Sequence, residues 1–72
     1  METKLITKKM MGRNLRELRV SLNKSIADVS NETGLGEAAL RNYECGLRIP
    51  NYKAMFTLAS YYGKSVDYIF FT

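Results

Sequence analysis

The chain has no histidine, no tryptophan, a single cysteine and a single proline. Without histidine, neither a Ser-His-Asp triad, a Cys-His dyad nor a His-based zinc site can be assembled. Cys45 alone makes neither a Cys-rich metal finger nor an internal disulfide. No enzyme, no metal and no other cofactor is expected, and the want of a disulfide framework suits a reducing cytoplasm. Long apolar runs are missing as well, none approaching the roughly 18 residues of a membrane span. After Lys4 only Leu5 and Ile6 precede Thr7, Lys8 and Lys9, which is too short for an export signal. The expectation is a soluble cytoplasmic protein with no membrane partner.

What remains is a chain of 72 residues, 46% hydrophobic and 25% charged, which is the composition of one small globular domain. A domain of this size buries only about 60% of its unfolded surface, so a second copy would help to stabilise it. Eleven lysines and arginines against seven acids give a net charge of +4. That balance favours polyanions such as nucleic acid. Charge alone does not decide the matter, since many small domains are basic, and the motifs must.

Apolar spacing is helical throughout. Met11, Leu15, Leu18 and Leu22 recur at intervals of four, three and four residues, predicting a first helix over Lys8 to Leu22. Asn23 and Lys24 break it. Ser25 with Asp28 three residues later reads as a capping box that opens a second helix to Thr33, with Ile26, Val29 and Ser30 inward. Gly34 suits a left-handed helix stop, and Leu35 is expected to plug the core across the turn. From Glu37 to Glu44 a third helix sets Leu40, Tyr43 and Glu44 on one side. Glu37, Ala38, Arg41 and Asn42 take the other. After Gly46 and the loop Leu47 to Pro50, Asn51 caps a fourth helix with the stripe Tyr52, Met55, Leu58, Ala59 and Tyr62. Gly63 ends that helix and Ser65 caps a short fifth one. Residues 1–7 stand apart: Lys4 to Thr7 can be an extended segment, a minor-groove arm or a disordered leader, and disorder is favoured. The domain proper is residues 8–72.

Two helices joined by a glycine-containing turn, the second bare on one face, form the arrangement that lets a helix enter the major groove. The residues carry a closer likeness. Met-Gly-Arg-x-Leu-Arg-x-Leu-Arg (Met11 to Arg19), Gly34-Leu35-Gly36, Tyr43-Glu44-x-Gly46, Pro50, Leu58-Ala59 and Tyr62-Gly63-x-Ser65-Val66-Asp67 fall in one register without a gap. Met11 to Phe70 thus resembles the helix-turn-helix family of phage repressors and Cro proteins, the Xre family. The resemblance implies an all-α, five-helix, lambda-repressor-like domain that binds double-stranded DNA.

Position by position, the resemblance implies roles. Arg19 and Glu44 match a family ion pair that ties the recognition helix to the scaffold. Glu37, Ala38, Arg41 and Asn42 match base-contacting positions. Arg41 suits guanine O6 and N7, Asn42 adenine N6 and N7, Ala38 a thymine methyl and Glu37 cytosine N4. A carboxylate at position 37 is repelled by phosphates unless it finds cytosine or a neighbouring arginine. Lys24 and Ser25 at the second helix, with Tyr43, Arg48, Asn51, Tyr52 and Lys53 on the other flank, match phosphate contacts. For Tyr52 and Lys53 plain solvated surface is an equal alternative. Ile26 departs from the glutamine common in the family and cannot clamp a phosphate.

Tyr68, Ile69, Phe70 and Phe71 are expected to form the interface of a homodimer reading two half-sites. No small-molecule ligand is expected. The implied function is a transcriptional regulator, a repressor on an inverted repeat. The rival is a protein-interaction module, such as an antitoxin or adaptor on the same fold.

Overall fold

The computed structural model describes residues 4–71. It contains five helices: α1 (Lys8–Ser21), α2 (Ile26–Thr33), α3 (Glu37–Glu44), α4 (Tyr52–Tyr62) and α5 (Val66–Phe70). Four of them start on a side-chain cap, which satisfies an amide that has no partner in the first turn. Thr7 accepts from Met10 N, Ser25 from Asp28 N, Asn51 from Ala54 N and Ser65 from Tyr68 N. At α2 the box is complete, because Asp28 also accepts from Ser25 N at 2.9 Å. That pair of bonds to Ser25 holds the Asp28 carboxyl below its usual pKa. No helix among the described residues is long and apolar enough to cross a membrane.

One core joins all five helices: Met11 and Leu15 of α1, Val29 of α2, Leu40 and Tyr43 of α3, Ala54, Met55, Leu58 and Ala59 of α4, and Ile69 and Phe70 of α5. The second turn of the bundle depends on Gly34, whose φ of 81° lies where glycine costs least. Around it Ser30 Oγ donates to Leu35 O at 2.6 Å and Thr33 Oγ1 accepts from Leu35 N at 3.2 Å. Leu35 is thereby held partly buried against the core.

Four expectations change. α1 ends at Ser21, so Leu22 falls out of the apolar stripe and lies exposed in the turn before Asn23. Tyr52, at the first position of α4, is 72% exposed and contributes nothing to that helix's buried stripe. The disordered leader is corrected over residues 4–7. Ile6 N donates to Phe70 O at 3.0 Å, Leu5 forms an isolated antiparallel bridge with Phe71, and Thr7 caps α1. Ile6 packs on the core, and that burial gives the segment a reason to order. Residues 1–3 of the proposed leader lie outside the described residues.

The fourth correction concerns the proposed dimer surface. Ile69 and Phe70 have no exposed surface at all, because α5 turns both into the core of its own chain. They cannot meet a second copy. Phe71 is half-buried and Tyr68 remains exposed, under Lys64 Nζ at 4.8 Å from its ring centre.

Candidate nucleic-acid interface

α3 is held from one side only. Leu40 and Tyr43 enter the core, while Glu37, Ala38 and Arg41 are exposed and Asn42 sits half-buried at the margin. Its N-cap is Gly36, which offers no side-chain hydrogen bond. The first amides of the helix therefore have no internal partner and carry the positive end of its dipole.

The C-terminal end of α3 is fastened to α1. Arg19 Nε and Nη2 donate to the two oxygens of Glu44 at 2.8 and 3.0 Å, and Nη1 donates to Lys24 O at 2.9 Å. The two side chains are only 16% and 11% exposed. The hydrogen bond to Glu44 raises the Arg19 pKa further, so the guanidinium stays charged at any working pH. Tyr62 stands beside this pair, and burial followed by the charge of Glu44 keeps its phenol neutral.

Gly12 lets the two helices come this close. A Cβ on it would lie 2.6 Å from the Tyr43 carbonyl oxygen and closer still to that of Glu44. In the sequence Gly12 stands out only as part of a family motif. Its physical signal was a glycine inside a helical stripe, where glycine is otherwise unfavourable.

At the exposed end, Arg41 Nη2 donates to Glu37 Oε1 at 3.2 Å, one helical turn away. Arg41 does have the neighbouring carboxylate that the spacing allowed, and both face solvent.

The flanking candidates divide. At the start of α2, Ser25 is committed to its capping box, and Lys24 Nζ is bonded to Glu32 Oε2 at 3.0 Å. Glu32 in turn accepts from the Tyr61 hydroxyl at 2.8 Å, which ties α2 to α4. Lys24 and Glu32 hold each other charged, raising the lysine pKa and lowering that of the glutamate. Ile26 packs against the core. The amides of Ile26 and Ala27 stay without intrahelical acceptors.

On the other flank Arg48, Tyr52 and Lys53 are exposed, and Asn51 spends its side-chain oxygen on Ala54 N at 2.8 Å. Tyr43 buries its ring. No buried side-chain polar atom among the described residues lacks a partner, and the Tyr43 hydroxyl makes no hydrogen bond among them. Cys45 is free and exposed. No group of three or more His, Cys, Asp or Glu that could hold a metal exists among the described residues.

A family model described as helix-turn-helix matches residues 15–69. Among solved structures, the chain is similar to the BldD DNA-binding domain of S. venezulae, with 25% identity and a TM-score of 0.76 over 88% of this chain and 94% of that one. It is similar to an HTH_3 family transcriptional regulator from Vibrio cholerae, at 27% identity and a TM-score of 0.76 over 83% of this chain and 34% of that one. The restriction-modification controller protein C.AhdI from Aeromonas hydrophila shares the fold, with a TM-score of 0.80 at 24% identity over 88% of this chain and 96% of that one. No relative was found among curated proteins.

Proposed function

This chain belongs to the helix-turn-helix family of phage repressor and Cro-like (Xre) proteins, and from that premise we propose that it is a DNA-binding transcriptional regulator that recognises duplex sequence. One observation carries the reading. α3 is locked to α1 at its C-terminal end, while its outer face leaves Glu37, Ala38 and Arg41 uncovered. A rigid helix with a free polar face fits a groove about 12 Å wide.

Arg41 reads guanine, with Ala38, Asn42 and Glu37 beside it. Affinity comes from phosphates held by Arg48, Lys53, Tyr52, the hydroxyls of Tyr43 and Ser25, and the free amides opening α2 and α4. Lys24 joins this set with the ammonium donors that Glu32 does not take, and Asn51 contributes the turn it caps. The protein needs no cofactor, performs no catalysis and works in the cytoplasm.

One copy covers only a few base pairs, so the acting species is a homodimer on an inverted repeat, with half-sites about 34 Å apart. Tyr68 and Phe71 are the residues of the proposed interface left accessible by the fold. Occupying such a site across a promoter represses it.

Selection from random duplexes tests the reading: an enriched inverted repeat is expected, with log affinity falling linearly in log salt. Tyr68→Glu should shift sedimentation toward monomer and weaken operator binding. A second reading, a protein-interaction module, draws on exposed Leu47, Ile49, Tyr52 and Phe56 around the loop after α3. It requires that no duplex be enriched.

A further inference from the structure

The exposed face of α3 carries two opposite charges that hold each other: Arg41 Nη2 and Glu37 Oε1 are 3.2 Å apart, with side chains 60% and 47% exposed. Among the described residues, neither side chain makes a hydrogen bond to another helix. An ion pair this open contributes little to stability, so its worth lies in what it presents. With one N–H given to Glu37, the guanidinium keeps enough donors for two parallel bonds. Glu37 keeps Oε2 free as an acceptor.

Resting on the reading that α3 enters the major groove, we propose that Glu37 and Arg41 act as one reading unit whose target is a G·C base pair in a single orientation. The edge of that pair runs acceptor, acceptor, donor through guanine N7, guanine O6 and cytosine N4. The ion pair presents donor, donor, acceptor. An A·T pair in the same orientation sets the adenine amino group against the guanidinium and thymine O4 against the carboxylate, so both charges reject it. Glu37 is a positioning residue for Arg41 as well as a reader, because it limits the rotamers of the long side chain before DNA arrives. The unit is neutral overall. It therefore adds discrimination without adding to the number of counterions released.

The experiment starts from a half-site found by selection and measures wild type, Glu37→Ala, Arg41→Ala and the double variant. Each is tested against that site and against a copy with the G·C pair replaced by A·T. Wild type should discriminate about ten- to hundredfold. Arg41→Ala should remove the discrimination. Glu37→Ala should lower it about three- to tenfold at the same base pair, and the double variant should match Arg41→Ala within about twofold, as coupled neighbours do. The double variant should also keep the parental salt slope.

Effects at two different base pairs that simply add would overturn the unit. So would uniformly tighter binding of all duplexes by Glu37→Ala, the mark of a carboxylate that only repels phosphate. Failure of wild type to prefer any duplex would instead remove the regulator reading itself.

Discussion

The two ends of α3 carry the same chemistry in opposite settings. Each has an arginine paired with a glutamate, yet Arg19 and Glu44 are 16% and 11% exposed while Arg41 and Glu37 are 60% and 47% exposed. The buried pair is bidentate and crosses between helices; the open pair has one bond and stays within a single turn. Burial removes the competing water, so the first pair fixes a helix in space, and exposure leaves the second pair with unused donors and an acceptor turned to solvent. A reading helix needs both, since a loose rod cannot hold donors in register with a base edge.

The strongest way to break this contrast is to push the fastened end off its seat. Gly12→Ala places a methyl against the Tyr43 and Glu44 carbonyl oxygens, and backbone cannot rotate aside as a side chain would. Unfolding in urea should show a loss of about 3 kcal/mol, at the upper end of overpacking costs. A loss below about 1 kcal/mol would mean that α1 and α3 separate without penalty.

Glu44→Ala comes next. It strands the Arg19 guanidinium on Lys24 O alone, and because the site is mostly rather than wholly buried, the expected cost is about 2 to 3 kcal/mol. Removing Glu37 should leave the same urea midpoint nearly unmoved, which is the contrast measured directly.

How much of this was legible in the residues follows from which interactions are local. The α2 capping box and the starts of α4 and α5 are written in short polar signals beside apolar stripes, and Ser25, Asn51 and Ser65 do cap. The third helix is also local, with its boundaries at Glu37 and Glu44. What required three dimensions was the fate of two segments, Leu5 to Thr7 and Tyr68 to Phe71. Four consecutive apolar residues, Tyr68 to Phe71, look like surplus on a sequence, but a five-residue helix packed across the bundle end takes Ile69 and Phe70 fully inside. The same packing recruits Ile6 and pairs Leu5 with Phe71, a contact between opposite ends that no periodicity reveals. Gly12 was visible as a letter, and its role appeared only when two carbonyls from a distant helix came against it.

Between the two ends of α3 and the loop that follows, a weaker comparison separates reading from holding. Arg48 is exposed beyond the helix and has no ion pair within 4 Å among the described residues, unlike Arg41. Arg48→Ala should weaken target and random duplexes alike, by less than about tenfold, and reduce the salt slope by about one. A loss confined to the selected site would move Arg48 from the phosphate set to the reading set.

The smallest effect sharpens the comparison at the start of α3. Every other helix opens on a side chain that accepts an amide, and α3 opens on Gly36 with none. Gly36 has extended dihedrals, φ −67° and ψ 146°, and a Cβ there meets nothing within 4 Å, so serine fits without strain. Gly36→Ser supplies the missing acceptor for the first turn and should raise stability by a few tenths of a kcal/mol, the usual difference between glycine and serine caps. With no side-chain acceptor at Gly36, the first amides of α3 stay uncapped within the chain, and the variant tests whether a phosphate takes the place of that cap. Serine satisfies one of those amides internally. The same variant should therefore bind duplex DNA more weakly at low salt while melting slightly higher in its absence. Stability and affinity rising together would show that the open N-terminus of α3 has no part in contacting the duplex.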